Sequence, residues 1–138
     1  MLSRAPLYLF IALAAALGGS LRYGVSVAWL QTMGAGWPWP TLIVNLLGSL
    51  LIAVYWRLAG PQGRFAASIG RRTAVMTGFC GGLTTFSAFG LETLLLLEGG
   101  RALQAAAYVG ASGFGSLVVA WLALNAWTAP SRPANDVS

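Results

Sequence analysis

Gly78-Phe-Cys-Gly-Gly-Leu-Thr-Thr-Phe-Ser-Ala-Phe89 lies inside the third of four apolar stretches of membrane-spanning length, and its reading decides how the chain folds. Gly81, Gly82, Thr84, Thr85 and Ser87 stand where a spanning helix ordinarily carries Leu, Ile or Val. Glycine costs a helix about 1 kcal/mol relative to alanine, and threonine and serine hydroxyls compete for nearby backbone groups. The pattern predicts a break in the helix. Amides and carbonyls freed at membrane depth are tolerated only where protein buries them or where they line a polar cavity. The break is therefore a candidate ion or substrate site.

Outward from that stretch, the whole chain reads as membrane protein. Of its 138 residues 57% are hydrophobic and only 8% charged, with a mean hydropathy of +0.73, against roughly 25% charged in soluble domains. A spanning helix needs about 20 mostly apolar residues, and four such stretches fall at about 6–30, 41–59, 72–97 and 102–127. The expected fold is all-α, with four transmembrane helices in one domain over 1–127 and little chain left for a soluble catalytic unit. Arg4 ahead of an apolar run ending in Ala14-Ala-Ala16 has the outline of a signal peptide. Hydrophobicity resumes through Val25, Val27, Trp29 and Leu30, so the segment is read as a retained span.

Eight arginines and no lysine face Glu92, Glu98 and Asp136. Most of the arginines flank spans, without the basic, aromatic-interleaved stripe of a nucleic-acid binder. Histidine is absent and Cys80 is the single cysteine, which removes disulfides and imidazole acid–base chemistry. The composition points away from an enzyme.

Gly34-Ala-Gly-Trp-Pro-Trp-Pro40 ends the first span at headgroup level, Gly60-Pro-Gln-Gly-Arg64 opens a linker read as continuing through Arg71 and Arg72, and Glu98-Gly-Gly-Arg101 is a tight turn. The polar, Pro-rich tail 128–138 reads as disordered. Four spans put Arg4, Arg57, Arg64, Arg71, Arg72 and Arg132 on one side and Arg101 on the other, with Arg22 a candidate for the side of Arg101. The positive-inside rule then turns the termini to the cytoplasm.

Polar residues within the spans are either helix-to-helix glue or the lining of a path. Thr41, Asn45, Gly48 and Ser49 form one stripe of the second span; Asn45 either bonds a neighbouring helix or offers its amide N–H to an anion. Tyr108, Ser112 and Ser116 recur every fourth residue of the last span, beside the small residues Ala107, Ala111 and Gly115 that suit close packing. Phe86 and Phe89, with Thr93 on nearly the same face, are either core or lipid-facing rings or, through their positive edges, an anion contact. Glu92 is an intramembrane carboxylate, a functional candidate by default, or else a cap for the broken helix.

These residues resemble a known family. Gly18-Gly-Ser-Leu-Arg22-Tyr23, Thr41-Leu-Ile-Val-Asn45-Leu-Leu-Gly48 and the third-span motif from Gly78 through Glu92 are similar to the CrcB/Fluc fluoride channels across about residues 5–127. The resemblance implies an antiparallel, dual-topology dimer of four-helix subunits in a prokaryotic inner membrane, exporting toxic cytoplasmic fluoride through two narrow pores. It implies a structural sodium ion at the dimer centre, held by the carbonyls of Gly81 and Thr84. It assigns the fluoride pathway to Thr41, Asn45, Phe86, Phe89, Tyr108, Ser112 and Ser116, a vestibule arginine to Arg22, and intramembrane polar roles to Thr85 and Glu92. Ala88 stands where a hydroxyl residue is expected between the phenylalanines. The arginine asymmetry fits an antiparallel homodimer poorly and leaves a heterodimer open, although the full motif set in one chain favours the homodimer. Two other readings remain: a proton-coupled multidrug exporter, which needs a carboxylate that the first span lacks, and a non-transporting membrane scaffold.

Overall fold

The computed structural model describes residues 5–126. The tail 128–138, Arg4 and Arg132 lie outside them. Among the described residues every regular element is helical, without a β-strand. Helix α1 spans Ala5–Met33 and α2 Trp39–Ala59. The turn between them holds Pro38 and places Pro40 in the first turn of α2, where a missing N–H costs nothing. The third span is composite: α3 (Ile69–Thr73), a π-helical segment (Ala74–Cys80), α4 (Gly81–Leu83), and α5 (Ser87–Glu98). Helix α6 covers Ala102–Asn125.

Four helical runs, Ala5–Met33, Trp39–Ala59, Ile69–Glu98 and Ala102–Asn125, are long and apolar enough to cross a membrane. Their positions follow the apolar stretches of the sequence. One boundary differs. Arg71 and Arg72, expected in the linker, belong to α3, because the Ser68 side chain accepts a hydrogen bond from the Arg71 N–H at 3.4 Å and so starts the helix earlier.

Helix α1 meets the third span backbone to backbone. A Cβ on Gly18 would lie 2.2 Å from the Phe79 carbonyl oxygen, and one on Gly82 2.3 Å from that of Ala15. Gly78, one turn before Gly82, approaches the Ile11 carbonyl and the Ala14 methyl in the same way. This is the small-xxx-small contact of membrane helices, where dispersion at close range replaces the hydrophobic effect. Helix α2 lies deepest, burying Thr41, Leu42, Val44, Gly48, Ala53 and Ala59. Leu42 joins Leu96, Ala105 and Tyr108 in a compact cluster, with Trp37, Leu46 and Phe89 against it. The outer surfaces of α1 and α6 expose Leu13, Leu17, Phe114, Leu117 and Trp121, as expected where lipid is the solvent. Ala107 and Ala111, read as packing residues, also face outward in the single chain; only Gly115 makes a close helix contact, with Leu46 of α2.

Candidate functional site

Helical hydrogen bonding is interrupted after Leu83. Thr84 adopts φ −79° and ψ 157°, an extended conformation, and helix resumes at Ser87. Side chains then take over the backbone. The Thr85 N–H donates to Asn45 Oδ1 at 2.8 Å, and Asn45 Nδ2 donates to the Thr85 carbonyl at 3.1 Å. One amide side chain on α2 thus satisfies both polar groups of a single residue, as a strand partner would. The Thr85 hydroxyl accepts from the Ala88 N–H at 3.2 Å, the geometry of a helix N-cap for α5, and lies 3.3 Å from Ser87 Oγ.

These bonds have a consequence upstream. In an unbroken helix the Thr85 N–H would serve the Gly81 carbonyl and the Ala88 N–H would serve that of Thr84. Both donors are diverted to side chains. The Gly81 and Thr84 carbonyls are relieved of their intrahelical partners. Gly81 is exposed, and a Cβ added there would come no nearer to a neighbour than 3.9 Å.

A cleft of about 320 Å³ opens beside the interruption. Asn45, Ser49 and Ile52 of α2 line it on one side, Thr84, Thr85, Phe86 and Phe89 of the third span on another, and Ser112, Gly113 and Ser116 of α6 complete it. Asn45 has a second amide hydrogen beyond the one given to Thr85. The rings of Phe86 and Phe89 lie 5.7 Å apart at 42°. Phe86 is 83% exposed in the single chain, so it is not a core residue. Among the described residues no carboxylate lines the cleft.

Glu92 is held next door. Thr41 Oγ1 donates to its Oε1 at 2.8 Å and Tyr108 OH to its Oε2 at 2.6 Å. Both carboxyl oxygens therefore have donors, as polar groups inside a span require. Tyr108 is fully buried, its ring 5.2 Å from that of Phe89 and 5.5 Å from that of Trp37. The Trp37 indole N–H reaches the Gln104 carbonyl at 3.3 Å and ties the first turn to α6. The hydroxyl row of α6 is thus divided: Tyr108 bonds Glu92, whereas Ser112 and Ser116 line the cleft.

The structure brings Asn45, Thr84, Thr85, Phe86, Phe89, Ser112 and Ser116 to one cleft, and Thr41, Glu92 and Tyr108 to an adjoining buried group. Arg22 lies on α1, half-buried and away from the cleft lining, and its Nε has no hydrogen-bond partner among the described residues. The sequence places Trp37 at headgroup level and marks Gly82 as a helix weakener, without showing the Trp37–Gln104 bond or the seating of α1 on Gly18, Gly78 and Gly82. The signal for the latter was present, because Gly78 and Gly82 are spaced as a small-xxx-small pair.

Among the described residues, four helices long and apolar enough to cross a membrane, with a cleft lined by amide, hydroxyl and phenylalanine side chains beside the interrupted one, define a multi-pass helical membrane protein. The chain belongs to the family described as CrcB-like protein, Camphor Resistance (CrcB), whose model matches residues 9–124. It is 50% identical over 119 residues to "Fluoride-specific ion channel FluC 1" of Rhodopseudomonas palustris, covering 86% of this chain and 84% of that one. It is also 49% identical over 118 residues to the protein of the same name from Bradyrhizobium diazoefficiens, covering 86% and 82%. Over 124 residues it is 49% identical to "Fluoride-specific ion channel FluC" of Bordetella parapertussis, covering 89% and 94%.

Proposed function

We propose that this protein is a fluoride-selective ion channel and not an enzyme, carrying cytoplasmic fluoride down its electrochemical gradient across a prokaryotic inner membrane. The observation that carries the reading is the composition of the cleft: amide, hydroxyl and phenylalanine side chains line it, without a carboxylate among the described residues. Fluoride gives up tightly held water to enter a narrow path, and such groups replace it. Glu92 is not among the lining residues, and Thr41 and Tyr108 hold both of its oxygens in the adjoining buried group.

Two copies arranged antiparallel around the broken third helices would close the cleft, which is open in one chain and leaves Phe86 on its rim. Gly81 and Thr84 suit a sodium ion at the centre of such a dimer. Their carbonyls lack intrahelical donors, oxygen ligands match a hard cation, and open space surrounds Gly81. The cation would supply fixed positive charge near an anion path. An oppositely oriented, non-identical partner would serve the same geometry. A proton-coupled exporter fits less well, because α1 carries no carboxylate and Glu92 is bonded at both oxygens.

Protein reconstituted in liposomes with a potassium ionophore should release fluoride rapidly, as read by an electrode, and retain chloride. Silence from correctly assembled protein would favour an obligate heterodimer or a scaffold. Phe86→Ile or Phe89→Ile should reduce fluoride efflux by about tenfold, because isoleucine keeps bulk but loses a ring-edge contact on the order of 1 kcal/mol. The assembled species should be unchanged on size-exclusion chromatography. Unaltered efflux in both variants would remove the rings from the mechanism.

A further inference from the structure

One end of the molecule carries a cluster of charge that the cleft does not use. Arg57 lies in the last turn of α2, Arg71 and Arg72 lie in α3, and Arg64 lies in the loop between. The described carboxylates are elsewhere: Glu92 is committed to Thr41 and Tyr108, and Glu98 closes α5 at the opposite end of the third span. Among the described residues the four guanidinium groups have no counter-charge.

The loop also removes their nearest alternative acceptors. The Gly60 N–H bonds the Trp56 carbonyl at 2.8 Å, Phe65 bonds that of Leu58 at 2.9 Å, and Ala67 that of Ala59 at 3.0 Å. Three of the terminal carbonyls of α2, those of Trp56, Leu58 and Ala59, therefore already accept a backbone bond where arginines at a helix end usually donate. Arg57 Nε and Arg72 Nη1 are buried without a hydrogen-bond partner. The Arg72 guanidinium stacks 5.6 Å from the Trp56 ring, which orients it beside the α2 terminus. Around these cations Trp56, Phe65 and Ile69 are exposed, the last two at 69% and 73%.

We propose that this end of the molecule binds the headgroup phosphate of an anionic phospholipid, with Arg57 and Arg72 as its principal donors. Guanidinium forks match phosphate oxygens, and neither Arg57 nor Arg72 has a counter-charge among the described residues. Trp56, Phe65 and Ile69 point to a lipid rather than a soluble anion, since apolar tips beside guanidinium groups at a helix end suit the boundary between acyl chains and phosphates. Four uncompensated positive charges favour an anionic lipid over a zwitterionic one, whose choline they repel. The inference is independent of what the cleft conducts.

The test titrates purified protein in detergent with phosphatidylglycerol or with phosphatidylcholine of the same acyl chains, reading lipid adducts by native mass spectrometry and the thermal midpoint. Phosphatidylglycerol should form retained adducts and raise the midpoint, while phosphatidylcholine should do neither. Arg57→Gln/Arg72→Gln should bind phosphatidylglycerol about 30-fold more weakly, as expected for two lost arginine–headgroup contacts. Arg101→Gln, at the opposite end, should respond as wild type. If the double glutamine variant does not fold, the single Arg57→Gln and Arg72→Gln variants each read a partial loss. Equal binding of the two lipids, an unchanged response in the arginine variants, or the same loss in Arg101→Gln would overturn the proposal. So would a midpoint shift with inorganic phosphate equal to that with phosphatidylglycerol, which would mean an ion site instead.

Discussion

Asn45→Leu is expected to reduce fluoride efflux by about 5- to 30-fold, the effect of losing 1–2 kcal/mol from the working arrangement of the interrupted span. Leucine is similar in size but makes neither bond to Thr85. Two hydrogen bonds of about 1 kcal/mol each are lost, and the Thr85 N–H and carbonyl are left to find other partners at membrane depth. The nearest solution is for the Thr85 N–H to return to the Gly81 carbonyl and rebuild helix. Asn45→Leu should therefore damage the path through the backbone as well as by removing an amide from its wall. Thermal unfolding of the same protein separates the two effects: the midpoint should fall with the efflux. A variant with normal stability and lost efflux would make Asn45 only a lining residue.

Gly82→Val and Gly81→Val should part company, although the residues are adjacent. A side chain at Gly82 would drive into the Ala15 backbone of α1, 2.3 Å from its carbonyl oxygen already at Cβ. Neither backbone can give way without separating the two spans. Overpacking of this kind costs about 1–3 kcal/mol or more, and we expect Gly82→Val to yield little folded protein. At Gly81 the single chain offers open space, so Gly81→Val should keep its helix content. If the dimer and its sodium ion are as proposed, that variant should fail at assembly instead, appearing as a loss of dimer on size exclusion and of sodium-dependent stability. Assembled, sodium-responsive Gly81→Val dimer would count against a cation at this position.

The spans were legible because composition alone dictates burial in lipid, and a stretch of about 20 apolar residues has few other fates. The polar stripe of α2 was legible for a similar reason. Helical periodicity put Thr41, Asn45, Gly48 and Ser49 on one face, and that face meets the third span through the Glu92 and Thr85 bonds, the Thr84 methyl and the cleft wall. What each residue does there was not legible. Asn45 had two chemically reasonable uses, and only the position of Thr85, 40 residues away, reveals the reciprocal pair. Glu92 draws its partners from 51 residues before and 16 after it, beyond any local pattern. Gly82 reads in the sequence as a helix weakener, which says nothing of the part that it and Gly78 play in seating α1. Ala107 and Ala111 show the converse, since small residues at the right spacing do not say which surface they serve. Arg22 matches a motif that implies a vestibule position, and it is not among the residues that line the cleft.

The π-helical run Ala74–Cys80 gives the third span a rotational phase that an α-helix of the same length would not have. Each residue in it advances less around the axis than an α-helical residue, so the segment resets the compass bearing of everything downstream. Gly78 and Gly82 point at α1, while Gly81 is left facing away from it. Shortening the run by one residue would act less as a local deletion than as a twist of a screw, turning the carbonyls and rings beyond it to a new azimuth with the membrane depth scarcely altered.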